Sequence, residues 1–153
     1  MPRTDETEWF INAVYSAIQE IPRGRVTSYG HIALLLGYPK RPRQVGTSLK
    51  HLPSPGTGFY HSGNVPWQRV INSRGGISHR FVIFYIFPVG LTDGIRGPGS
   101  AERQAEVLRG EGVEVESDAM GEFYVDLGRF GWFPEVLPSE VEEGVDDGGD
   151  IQQ

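Results

Sequence analysis

Near the start of the chain, apolar side chains fall at Trp9, Phe10, Ala13, Val14, Ala17, Ile18 and Ile21. That is the three-and-four spacing of a helix with one face to bury, and no strand can use it. Thr4 precedes the run as a cap, and Asp5, Glu6 and Glu8 place negative charge where the helix dipole favours it. The spacing predicts a helix over 5–20, broken by Pro22-Arg23-Gly24. A second helix follows over 29–36, capped by Ser28, with Ile32, Ala33, Leu35 and Leu36 as its apolar face. Gly37-Tyr38-Pro39 ends it. A third starts at Arg41–Pro42, with proline in the first turn, and runs to about His51. Helix, glycine-containing turn and helix make a helix-turn-helix, and the second of that pair carries the basic residues.

Residues 52–64 read as loop. Residues 68–79 read as a hairpin turning at Ser73-Arg74-Gly75-Gly76, which completes a winged-helix arrangement. Ala101–Arg109 reads as a short helix, and 112–116 and 121–127 as two short strands. The expected fold is mainly α with a small β wing, one domain over 1–133. An acidic, glycine-rich tail over 134–153 is expected to be disordered. The segment 81–96, FVIFYIFPVGLTDGIR, is the most hydrophobic stretch and reads either as a buried strand or as an insertion.

Charge is divided rather than balanced. The net charge is −6, yet residues 21–80 hold nine Lys or Arg and no Asp or Glu, while 134–153 hold seven acids and no base. A long window without acids points to a face for a polyanion. The chain has no cysteine, which excludes disulfides, Cys-ligated zinc and a thiol nucleophile. His31, His51, His61 and His79 have no metal-ligand spacing, so no metal or other cofactor is expected. The N-terminus has neither a signal-peptide apolar core nor a transit-peptide pattern. The longest apolar run, 81–87, is too short to span a bilayer. An intracellular, nuclear monomer is the expectation.

The stretch VPWQRV at 65–70 presents Trp67, as core filling or as the wall of a pocket. Three ordered motifs, IPRGRVTSYGHIA, RPRQVGTSLKHLP and VPWQRVINSRGGIS, resemble the DNA-binding domain of the O6-alkylguanine-DNA alkyltransferases. The closer likeness is to the alkyltransferase-like proteins, in which the acceptor cysteine is replaced. The resemblance is dense over 5–80 and resumes from Gly97 to Trp132. Removing 81–96 would join the chain as family members run. In the transferases the loop reads Pro-Cys-His-Arg-Val: the thiolate attacks the alkyl carbon, and the histidine helps deprotonate it through water. Trp67 and Gln68 stand at those two positions. An indole displaces no alkyl group and an amide is no base near neutral pH, so no alkyl transfer is expected.

The resemblance implies roles for the rest. The helix-turn-helix would dock in the minor groove, with Gly46, Thr47 and Ser48 small enough for close approach and Gln44 on the same helix. Arg43 would fill the gap left by an extruded nucleotide, and Tyr29 would turn the 3′ phosphate. Trp67, with Val65 and Pro66, would wall the pocket, and Arg80 would pack on the flipped base. Lys50 and Arg74 read as phosphate contacts. Arg69 reads as a DNA contact or as a structural arginine pairing with carbonyls under the loop. The expected function is a sensor of O6-alkylguanine in double-stranded DNA that hands the lesion to nucleotide excision repair proteins without catalysis. The alternative is a sequence-specific winged-helix regulator.

Overall fold

A computed structural model describes residues 5–56, 58–77 and 101–141. Arg80 and the 81–96 segment, with the expectations placed on them, lie outside the described residues.

The three predicted helices form. Helix α1 spans Asp5–Ile18, α2 spans Tyr29–Leu35 and α3 spans Pro42–Lys50. The Ser28 hydroxyl accepts the His31 N–H at 3.0 Å and starts α2, while Pro42 opens α3. Gly37, at φ +87°, takes the left-handed turn between them, where a side chain is disfavoured. The helices close on one core made of Phe10, Val14, Ile18, Ile32, Ala33, Val45 and Leu49 with their neighbours.

A second core sits beside it. Helix α4, Ala101–Gly110, packs Ala105 and Leu108 against Val26, Ile71, Ile77, Val113 and Val125. The seam between the cores is a short parallel pair, β1 (Thr27–Ser28) with β2 (Val70–Ile71), in the register Thr27 to Val70 and Ser28 to Ile71. Neighbouring strand residues point to opposite faces. Val70 therefore enters the helical core, and Ile71 enters the core under α4.

The second arm of the expected hairpin over 68–79 runs into residues 78–79, outside the described residues; among those described, residues 67–69 form a 3-10 turn and β2 pairs with β1. The turn itself exists: Asn72 Oδ1 accepts the N–H groups of Arg74 and Gly76 at 2.9 and 2.8 Å. Gly76 then bridges to Tyr124, and Ile77 N–H donates to Phe123 O at 3.0 Å. The wing is thus the antiparallel pair β3 (Glu116–Ser117) and β4 (Phe123–Tyr124), with residues 76–77 along its edge. A short helix α5, Leu127–Phe130, was not expected; Asp126 caps it.

The chain does not come loose at Pro134, as the disordered-tail expectation had it. Trp132 N–H donates to Val26 O at 2.7 Å, and the His31 ring nitrogen Nε2 lies 2.7 Å from Pro134 O. Leu137 is 8% exposed and belongs to the helical core. Ser139 donates twice to the Glu20 carboxylate, at 3.0 and 2.9 Å. An apolar side chain within an acidic stretch is enough to dock it. Residues 142–153 lie outside the described residues.

Candidate DNA interface and base pocket

Helix α3 supplies the candidate contact face. Successive residues on an α-helix are about 100° apart, so Val45 and Leu49 share one side and Arg43, Thr47 and Lys50 the opposite one. The burial follows: Val45 and Leu49 are core, while Arg43, Gln44 and Thr47 are exposed and Gly46 and Lys50 half-buried. Thr47 folds its hydroxyl back onto Arg43 O at 3.0 Å, leaving a low surface around Gly46.

Ser48 departs from its expected place among the contact residues. It is 2% exposed; its hydroxyl donates to Gln44 O at 2.8 Å, and its own carbonyl accepts from the Tyr15 phenol. A serine that bonds one turn back can face a core without a lost hydrogen bond, which its polarity in sequence conceals. Gln44 leans away from the outward strip. With Thr7, Phe10, Ile11, Thr47, Ser48 and His51 it lines a cleft of about 200 Å³ between α1 and α3.

The 3-10 turn Trp67–Arg69 holds the second part of the site. Pro66 precedes it, and Trp67 N–H donates to Val65 O at 2.7 Å. Trp67 and Tyr29 are both half-buried, and each packs against the helical core. Burial pushes the Tyr29 phenol well above its ordinary pKa, so it stays a neutral hydrogen-bonding group across the physiological range. Val65, at 1% exposure, offers almost no surface of its own to a ligand. A polar cleft of about 300 Å³ opens on another side of the loop, lined by Gln19, residues 62–66, Gln68 and Arg69 but not by Trp67.

Arg69 is held inside. Its Nε and Nη2 donate to the two oxygens of Glu111 at 3.0 Å each, and its Nη1 donates to Ile21 O at 2.7 Å. Only 15% of its side chain and 8% of that of Glu111 are exposed. Three of its five N–H groups are engaged inside the protein, which favours the structural reading of Arg69 over a DNA contact. Gln68 also turns inward, donating to Glu111 at 2.7 Å. Glu111 is the residue that sequence reasoning passed over. Burial works against its charge, but the bonds from Arg69 and Gln68, the Arg69 charge and the Gly24 N–H together hold its pKa below the usual carboxylate value. Nothing near Glu111 in sequence hints at residues 68 and 69, because it is one of several acids that follow α4.

Arg74 is exposed at the tip of the Asn72 turn, free of the core. Among the described residues no group of His, Asp or Glu is placed to hold a metal ion, and no helix is long and apolar enough to cross a membrane.

Residues 9–113 match the family described as the DNA-binding domain of 6-O-methylguanine DNA methyltransferase. Alkyltransferase-like protein 1 of Schizosaccharomyces pombe is 39% identical over 132 residues, covering 86% of this chain and 99% of that protein. The DNA base-flipping protein of Escherichia coli is 34% identical over 130 residues, covering 85% of this chain and 79% of its own. The crystal structure of S. pombe Atl1 with damaged DNA containing O6-carboxymethylguanine superposes with a TM-score of 0.63 at 39% identity, covering 87% of this chain and 100% of that one. A chain with this fold, with these relatives, and with Trp67 and Gln68 on the turn and no cysteine anywhere belongs to the methyltransferase DNA-binding-domain family as a non-catalytic, alkyltransferase-like member.

Proposed function

We propose that the chain senses O6-alkylguanine in duplex DNA by flipping the damaged base out and holding it unrepaired. The observation that carries this is the turn itself: Trp67 is half-buried against the helical core, and Gln68 is tied to Glu111, where the transferases would need a nucleophile and a base. The site keeps a wall and a floor and lacks the reaction.

In this reading α3 enters the minor groove with Arg43, Gly46, Thr47 and Lys50 outward, and Arg74 reaches a neighbouring phosphate. Extruding a base costs a few kcal/mol, and less for a damaged pair. A guanidinium from Arg43 stacked in the gap recovers part of that. The minor groove separates bases poorly, so selectivity resides in the pocket beside Trp67 rather than in flanking sequence. Arg80, next to the undescribed segment, would complete that pocket. A stable complex would mark the lesion for nucleotide excision repair in the nucleus, the chain acting as a monomer.

Incubating the protein with a duplex carrying isotopically labelled O6-methylguanine tests the chemistry. The label is expected to stay on intact DNA after the protein is removed, despite stoichiometric binding. Label on the protein, or free base in solution, would overturn the reading.

A further inference from the structure

The turn that carries Trp67 is gripped chiefly by α4 and the residue that follows it. Gln104 Nε2 donates to the carbonyls of Gln68 and Val70 at 3.0 and 3.1 Å, which fixes the turn's backbone to α4. Glu111, just past α4, takes the side chains: Gln68 at 2.7 Å and Arg69 at 3.0 Å through both of its oxygens. Arg69 then ties the assembly to Ile21 O at the end of α1, at 2.7 Å. In a 3-10 turn, consecutive side chains point about 120° apart. Once residues 68 and 69 are committed to Glu111, the Cα–Cβ direction of Trp67 is set, and only its own rotamers remain.

We propose that Glu111 is a positioning residue: through Gln68 and Arg69 it sets how Trp67 stands over the base pocket, so lesion discrimination depends on a carboxylate that touches no DNA. This rests on the base-binding reading above and adds a residue to it. Gln68 is then more than the remnant of a lost base. Its amide N–H is the donor that keeps the turn rotated, and a donor at position 68 is what the site retains. Gln104 alone would hold the backbone near its place, yet would leave the indole free to rock about it.

The test needs variants that stay folded. Gln68→Met keeps the length and loses the donor, while Glu111 keeps its pair with Arg69. Gln68→His restores a ring N–H that can donate to the same carboxylate. Both are placed in a Trp9→Phe, Trp132→Phe background, so that Trp67 is the sole indole. Two quantities are read: acrylamide quenching of Trp67, and the affinity for one duplex with and without O6-methylguanine. Gln68→Met is expected to raise quenching and to lower the lesion preference roughly five- to tenfold, part of what a hydrogen bond to a charged group carries, with undamaged-duplex affinity within about twofold. Gln68→His is expected to restore both. Unchanged preference in Gln68→Met, an equal loss on both duplexes, or failure of Gln68→His to rescue would overturn the proposal. Should the parent protein show no lesion preference, the base-binding reading falls, and the quenching comparison still decides whether Glu111 orients Trp67.

Discussion

Trp67 rests against the helical core without being enclosed by it. Cutting it back therefore costs less stability than the ~3–5 kcal/mol of a fully buried aromatic. Trp67→Ala is expected to lower lesion affinity about tenfold, within the range of one base–aromatic stack, while changing undamaged-duplex affinity far less. Parallel titrations of the two duplexes read the difference, and an equal loss on both would make Trp67 a packing residue. Glycine is needed for two separate reasons at two positions. Gly37 is left-handed with open space around it, so Gly37→Ala costs about 1–2 kcal/mol of strain. Gly75, at φ +89°, adds a clash: a β-carbon there would press on the Val125 carbonyl, next to the 2.8 Å bond from Val125 N–H to Gly75 O. Gly75→Ala is expected to cost clearly more than Gly37→Ala in urea unfolding, because it pries β4 from the Asn72 turn. Equal costs would show that the clash relaxes. Single residues also mark where the sequence misled. Ser48 is polar and buried, Val65 is almost wholly covered, and Arg69 is basic and internal.

The helices were legible because a 3.6-residue period, a cap and a breaker are all local, and α1, α2 and α3 form within two residues of the expected bounds. Of the strands, β3 begins at the end of the expected 112–116 and β4 lies within the expected 121–127. The pairing of β1 with β2 was not legible, because each is two residues long and β2 meets β1 from far along the chain. No periodicity announces such a pairing; it exists because Val70 and Ile71 must serve different cores. The candidate site divides in the same way. Trp67, Tyr29 and the outward strip of α3 could be read from motifs and spacing. Glu111 could not, because its contacts arise only when α4 packs on the Trp67 turn. That junction has its own signature. The folded-state pKa of Glu111 is depressed, so its contribution to stability is present above the unfolded value of about 4.5 and is lost as pH falls through the lower folded one. Glu111→Gln should be less stable than the parent near pH 7, and the gap should narrow as pH is lowered below about 4.5. Thermal melts across that range check it; a constant gap would mean that the charge on Glu111 is not what binds the junction.

At the scale of the whole molecule the charges are sorted. The nine bases of 21–80 include the outward strip of α3, and the seven acids of 134–153 lie at the other end of the chain. With Leu137 in the core and Ser139 on Glu20, a cut at Phe133 would damage the fold, so the informative truncation follows Val141. Removing 142–153 deletes five of the acids. It is expected to tighten DNA binding at low salt, with the gain fading above about 0.1–0.2 M as the Debye length falls below about 10 Å. No gain at low salt would mean that the acids do not compete for the basic face. If roughly five phosphates are contacted, log affinity should fall with log salt at a slope of about −4 to −5. Recognition of a damaged base without its repair is read most simply from the affinity for one duplex sequence with and without a single O6-methylguanine, measured at fixed salt. Clearly tighter binding to the damaged duplex is expected, whatever the flanking sequence. Equal affinity for the two duplexes, with preference following the sequence instead, would contradict it.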